Sequence, residues 1–308
     1  MISTAIFIAV TFAGFECVIN FLVHKSNDYI WGVWTDILDG NIDSDVIVMG
    51  SSRAVFQYNP LILDSILGCN AYNIGIDGSS ANRQIHRYNI YRKKNKKPKV
   101  IVQNIDAWST LGFTIGYSRE QFLPFVHKPE MKEILEDEPL SWYDKIPVLR
   151  YKGFSNAISI CINILVGERT GETVQKGYKG NDWPWNGAML NKMDSITFKP
   201  DERSLKMFVD YVAQAKQEDI EMVFVYAPFY YEGLNLYTNL DECYALFDSI
   251  ATVYSVPILD YSYSNLSYDK SYFYNATHLK KVGAELFSAQ LAHDLDSLGI
   301  YSREEIHE

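Results

Sequence analysis

Short apolar runs alternate with longer amphipathic stretches along most of this chain. Val46–Met49 is a run of four apolar residues, as expected for a strand buried on both faces. Leu61–Leu67 reads as a short helix that stops at Gly68 in LGCN. Ala71–Ile76 is a second strand, running into IDGSS, and Ser79 or Ser80 then caps a helix through Lys94. Pro98 precedes a third strand, Val100–Ile105. Glu202–Gln217 is a helix with Leu205, Phe208, Val209 and Val212 on one face. It is followed by a strand at Met222–Tyr226, a helix at Glu242–Tyr254, a strand at Val256–Leu259 and a closing helix at Lys281–Leu298. Strands separated by helices predict an α/β fold, a three-layer sandwich whose mostly parallel central sheet is covered on both sides.

Two regions break this rhythm. Between about 107 and 200 lies an insertion with an acidic patch (Glu130–Glu138), an apolar helix candidate (Ala157–Val166) and the aromatic loop GYKGNDWPWNG at Gly177–Gly187. A structureless loop of that length is uncommon, so a helical cap or subdomain is expected. The other region is the N-terminus. Ile2–Val23 lacks lysine and arginine and is about long enough to cross a bilayer. Glu16 interrupts it at a cost of roughly 2.5–3.5 kcal/mol at mid-membrane, which about a dozen Leu, Ile, Phe and Val residues offset. The expectation is a membrane anchor over 1–26 and one α/β domain over 27–308, with a buried or interfacial helix as the alternative that Glu16 keeps open. Trp31–Leu38, between them, is a short amphipathic piece.

Composition narrows the function classes. The chain has 308 residues, enough for a proper core, and 47% of them are hydrophobic, which excludes a disordered protein. A formal charge of −10 argues against general nucleic-acid binding. The basic cluster Arg92–Lys97 is too local to reverse that, and reads as a solvated helix end. Four scattered cysteines with no CxxC exclude a zinc framework, and neither a P-loop nor a GxGxxG pattern is present. No metal and no diffusible cofactor is implied.

Three blocks carry candidate chemistry, and each falls at an expected strand end. Gly50-Ser51-Ser52-Arg53 follows the first strand, where serine is either a helix cap or a nucleophile. Asn73-Ile74-Gly75-Ile76-Asp77-Gly78 follows the second. Glycine there permits a positive φ or a close backbone approach that could aim an N–H into a cleft. Tyr274-Asn275-Ala276-Thr277-His278-Leu279-Lys280 precedes the last helix, and sites in open α/β sheets gather beyond the carboxyl ends of strands. His278 is the histidine best able to reach that edge, with His127 in the insertion a distant second.

In order and spacing, GSSR, NIGIDG and NATHLKKVGAELFSAQLA resemble the serine, glycine and histidine blocks of the SGNH/GDSL hydrolase superfamily. The flavour is similar to its membrane-anchored envelope branch, which includes D-alanyl-transfer proteins of the DltD kind and polysaccharide O-acetylation proteins. The resemblance covers about 44–106 and 202–298. It implies an SGNH/flavodoxin-like sheet, with Ser52 as nucleophile (Ser51 the runner-up), His278 as base, and an oxyanion hole from Gly78 and the Ser52 N–H. It also implies a serine esterase or O-acyltransferase acting on acyl esters of envelope or extracellular glycans. The domain would face the periplasm or cell surface, with a membrane-bound acyltransferase as possible partner. Two positions depart from the family pattern. The third strand ends QNID instead of Gly-x-Asn-Asp, which leaves Asn104 as a candidate donor to the oxyanion. The place of the family's aspartate, three before the histidine, is taken by Asn275. Asparagine can orient an imidazole but carries no charge, so Asp260 is a candidate helper and a non-catalytic binding or assembly component is the rival reading. Trp183 and Trp185 are candidate stacking platforms for sugar rings, or packing residues against the domain.

Overall fold

The structure, a computed structural model, describes residues 2–26, 31–106, 121–146, 149–151, 162, 165, 174–193 and 195–301. Helices α1 (Ile2–His24) and α2 (Gly32–Asp39) lead into strand β1 (Val46–Met49), then α3 (Ser52–Gln57), α4 (Pro60–Leu67) and β2 (Ala71–Asn73). Helix α5 (Ala81–Lys94) and β3 (Val100–Asn104) precede the insertion, whose described part holds α6 (Lys132–Asp137), α7 (Ala188–Lys192) and several 3-10 turns. The second half runs α8 (Glu202–Gln217), β4 (Glu221–Tyr226), α9 (Tyr231–Leu234), α10 (Leu240–Tyr254) and β5 (Ile258–Asp260). The hairpin β6 (Phe273–Asn275) and β7 (His278–Leu279) follows, and α11 (Lys281–Ser297) closes the fold.

The five-stranded sheet has the order β2-β1-β3-β4-β5, and every pairing in it is parallel. The α/β sandwich expected from the alternation is therefore what forms. Its two apolar cores lie on opposite faces of the sheet, as the alternation along β1 requires. Ile47 and Met49 join Trp34, Tyr88, Phe208 and Phe247, while Val46 and Val48 join Tyr58, Phe287 and Leu291. Strand order reverses at β1, whose neighbours β2 and β3 lie on either side. That places a crevice at the carboxyl end of β1, where ligand sites in such sheets occur.

Strand ends differ from the sequence reading in physically interpretable ways. Beyond the end of the second strand at Asn73, short of Ile76, the backbone still bonds to β1 through Ile74 N to Val48 O (2.9 Å) and Ile76 N to Gly50 O (3.0 Å), while the Asn73 side chain ties the loop to α3. Its Oδ1 accepts from Gly75 N (3.0 Å), and its Nδ2 donates to the Ala54 and Tyr58 carbonyls (2.7 and 3.0 Å). Ser80 does stand at the N-cap of α5 but makes no side-chain cap bond. Only Ile162 and Leu165 of the helix expected at 157–166 fall within the described residues.

The acidic patch and much of the basic cluster find each other. Arg83 of α5 grips Glu138 through two bonds of 2.8 and 2.6 Å, and His86 meets Asp137 at 2.8 Å. Lys93 pairs with Glu133 and Lys94 with Glu130. The insertion is thus clasped onto α5, and Lys93 and Lys94, exposed as expected at a helix end, pair with its acidic residues. The exposed pairs contribute little individually, whereas Arg83–Glu138 is nearly buried and bidentate.

At the N-terminus, Glu16 and Asn20 of α1 are engaged. Arg150 Nε lies 3.2 Å from Glu16 Oε1, and the Tyr151 hydroxyl donates to Asn20 Oδ1. Ile19, Leu22 and Val23 are buried, while Phe7, Val10, Phe15, Val18 and Phe21 are exposed. Among the described residues no helix is long and apolar enough to cross a membrane, so the expected spanning anchor finds no support there.

Candidate active site

Gly50 ends β1 at φ +150, where a Cβ would lie 2.8 Å from Asn104 Cβ and 2.9 Å from Ala54 Cβ. Only glycine lets β1 turn this tightly into α3. Ser51 and Ser52 then point to different partners. The Ser51 hydroxyl donates to Asp106 Oδ2 at 2.7 Å, and both residues are buried. Asn104 Nδ2 donates to the same oxygen at 3.2 Å, and Tyr58 OH donates to Asn104 Oδ1 at 2.8 Å. Burial holds the Tyr58 phenol far above its usual range, so it remains a donor. This network commits both Ser51 and Asn104. The Asn104 amide, suggested by the sequence as an oxyanion donor, is turned to Asp106.

Ser52 opens α3 and is partly exposed; its Oγ lies 2.8 Å from His278 Nε2. The two residues are 226 positions apart in the chain. Helix α3 is held by long-range bonds. Arg53 Nη2 donates to the Ala227 carbonyl (2.5 Å) and the Pro228 carbonyl (3.3 Å), Gln57 Nε2 donates to Pro228 O, and just beyond the helix Asn59 N donates to Ser288 Oγ of α11 at 2.8 Å. A serine fixed on a short, anchored helix loses little entropy on meeting its base.

His278 sits on the β6–β7 hairpin, opposite Asn275. Asn275 Oδ1 accepts from the backbone N–H of Thr277 and of His278, each at 2.9 Å, which ties the turn. His278 Nδ1 is 3.0 Å from the same Oδ1 and 2.6 Å from Thr277 Oγ1. The imidazole stacks on Tyr274 with centroids 5.4 Å apart and takes the edge of Phe56 at 5.6 Å. Burial, and then the Arg53 guanidinium, push its pKa down to about 3. The residue keeps some accessible surface, and the chemistry uses the direction of this shift: the ring rests neutral, as a base must. The partners of Nδ1 are Thr277 and Asn275 and not Asp260, whose carboxylate accepts from Ser262 N at 2.8 Å.

The second block lies beside the first. Ile76 N donates to Gly50 O at 3.0 Å, and a Cβ on Gly75 would lie 2.8 Å from Ala54 Cβ, so the loop packs directly on α3. Gly78 follows at φ +63. The loop is clamped by Arg87, which donates to the Ile74 and Gly75 carbonyls (3.2 and 2.7 Å), and by Gln121 from the insertion, which donates to Asp77 O (2.6 Å). Burial lowers the Arg87 pKa to about 9, and its guanidinium stacks over Trp34 at 4.1 Å.

A cavity of about 670 Å³ abuts this centre, lined by Trp183, Trp185, Asn186, Asn191, Tyr274 and Asn275 among others. Trp183 is 50% exposed and meets Tyr274 edge-on at 5.5 Å. Trp185 packs against Tyr230 and lies beneath Lys270 Nζ, 4.4 Å from the ring centroid. The aromatic loop thus joins the base through Tyr274. Among the described residues no three His, Cys, Asp or Glu side chains converge as metal ligands.

Thr277, Arg53, Asp106 and Tyr274 went unassigned in the sequence reading. Thr277 and Tyr274 lie inside the NATH block, and their proximity to His278 was the available signal. Arg53 and Asp106 lie in the GSSR and QNID stretches, but their partners, the Ala227 carbonyl and the Ser51 hydroxyl, are set only by the fold.

No family model matches the chain, and no curated protein is similar to it. Solved structures do align with it. One is a protein of the G-D-S-L family described as lipolytic, from Desulfitobacterium hafniense, at 11% identity and a TM-score of 0.41, over 81% of this chain and 98% of that one. Another, described as an acylhydrolase from Bacteroides fragilis, has 13% identity and a TM-score of 0.39, over 81% and 86%. An acetyl xylan esterase from the rumen bacterium Butyrivibrio proteoclasticus has 8% identity and a TM-score of 0.39, over 82% and 64%. The chain is similar to these at the level of overall shape, and the reading of its site stands on its own distances.

Proposed function

We propose that this chain is a serine esterase or O-acyltransferase acting on acyl esters of envelope or extracellular glycans. The observation that carries the proposal is the 2.8 Å contact between Ser52 Oγ and the neutral His278 Nε2 at the carboxyl end of β1. Ser52 attacks the acyl carbonyl while His278 Nε2 takes its proton. The Ser52 N–H, at the first position of α3 and so without an intrahelical partner, and the Gly78 N–H receive the developing oxyanion. The protonated imidazole then gives its proton to the departing alcohol, leaving an acyl ester on Ser52. Water or a sugar hydroxyl attacks that ester with His278 again as base, and free Ser52 is restored.

Support for a glycan comes from the adjoining cavity, where the exposed face of Trp183 and the Asn186 and Asn191 amides offer stacking and hydrogen bonds to a neutral sugar. The exposed apolar residues of α1 fit attachment to a membrane surface, which supports the part of the proposal that has the domain act beside envelope substrates outside the cytoplasm, with a membrane-bound acyl donor as partner. The second reading, a non-catalytic assembly component, is favoured by one observation: Asn275 stands where a carboxylate would stabilise the imidazolium. A fluorophosphonate probe separates the two. Wild-type protein labelled at Ser52, with labelling and ester cleavage lost in Ser52→Ala, supports the enzyme. Unlabelled wild type supports the assembly role.

A further inference from the structure

We propose that Thr277 is the positioning residue that sets the working tautomer of His278. The inference rests on the Ser52–His278 reading and concerns how the base is held in the absence of a carboxylate. His278 Nδ1 has two possible partners, Thr277 Oγ1 at 2.6 Å and Asn275 Oδ1 at 3.0 Å. Asn275 Oδ1 accepts the Thr277 and His278 backbone N–H groups at 2.9 Å each, which identifies this atom as the oxygen.

Thr277 Oγ1 also lies 3.0 Å from that Oδ1. An amide oxygen has no proton to give, so the threonine hydroxyl must be the donor in this contact. Its single proton is then spent, and its contact with the ring can only be one in which Nδ1–H donates to Oγ1. The proton is thereby held on Nδ1, and the Nε2 lone pair faces Ser52 Oγ. Reversing the threonine would place the ring proton on Nε2, where it could not accept the serine proton. The chain of bonds therefore runs from Ser52 O–H to Nε2, from Nδ1–H to Thr277 Oγ1, and from Thr277 O–H to Asn275 Oδ1. Asn275 gives this chain its direction, and Thr277 is the group that touches the ring. No member carries a negative charge, so the relay orients the base without stabilising its cation.

The test uses Thr277→Val, which keeps the shape and removes the hydroxyl, and Thr277→Ser, which restores it. Imidazole 15N spectra of selectively labelled protein report the tautomer, and second-order inactivation by a fluorophosphonate reports the reactivity of Ser52. The expected result is an Nδ1–H ring in wild type and Thr277→Ser, with at least a tenfold shift toward Nε2–H in Thr277→Val. Inactivation is expected to fall about 10- to 100-fold in Thr277→Val and to return within about threefold of wild type in Thr277→Ser. Unchanged tautomer and rate in Thr277→Val would overturn the proposal and make Asn275 the direct partner. Equal loss in both variants would overturn it too, leaving only a packing role. If wild-type protein resists the probe, the esterase reading fails, but the 15N spectra still decide the role of Thr277.

Discussion

Asn275→Asp puts a carboxylate where the structure has a neutral amide, 3.0 Å from His278 Nδ1. The new side chain keeps both backbone hydrogen bonds, because a carboxylate oxygen accepts them at least as well. With charge centres about 4 Å apart and an effective dielectric near 20, the attraction for an imidazolium is about 4 kcal/mol. The accessible part of His278 lets water remove up to half of it, so about 2–4 kcal/mol remains, which raises the imidazole pKa by about 1.5–3 units. The wild-type ring, pushed down to about 3, stays an unprotonated base across the neutral and mildly acidic range. Its pH–rate profile should be flat there. In the variant the acid limb should move up to about pH 4.5–6, and the plateau rate should rise because the cation formed in the transition state now has a counter-charge. One serine triad loses about 10⁴ in rate on the reverse change, which bounds the gain, and an increase of about 10- to 10³-fold is expected here. The assay is the pH dependence of kcat/KM for a p-nitrophenyl ester in both proteins, with circular dichroism to exclude misfolding. An acid limb that stays in place, together with an unchanged or lower plateau in a folded variant, would refute the assignment of Asn275 to the working imidazole.

Ser51→Ala removes a buried donor to Asp106 while leaving Ser52 on its helix. The expected loss is about 1–3 kcal/mol in urea unfolding, with probe labelling at Ser52 retained, and loss of labelling in folded protein would move the nucleophile to Ser51. Arg150→Met strands the Glu16 carboxylate beneath α1 and should cost about 3–5 kcal/mol by denaturant unfolding. The double change with Glu16→Leu should recover most of it, and no recovery would show that the pair does not couple α1 to the insertion.

Much of the scaffold was legible because it depends on local pattern. The apolar run Val46–Met49 and the amphipathic helix Glu202–Gln217 form over the residues their periodicity marks, since burial of one face is decided within a few turns. The placement of the first two motif blocks at one sheet edge was legible too, because parallel strands joined by helices carry their carboxyl ends to the same side, whereas the third arrives on a separate antiparallel hairpin. Other features depend on partners far away in the chain. Ser51 and Ser52 are alike in sequence, and their distant partners, Asp106 for one and His278 for the other, distinguish them. Strand β2 gives way at Asn73, whose side chain reaches back to α3, and Lys93 and Lys94, though exposed, pair with Glu133 and Glu130 of the insertion. Asn275 read as a defect when set against an expected aspartate. The hairpin shows it tying two backbone amides and directing Thr277, a geometry that residue spacing cannot encode because hydrogen-bond direction is decided by the atoms that converge in the folded chain.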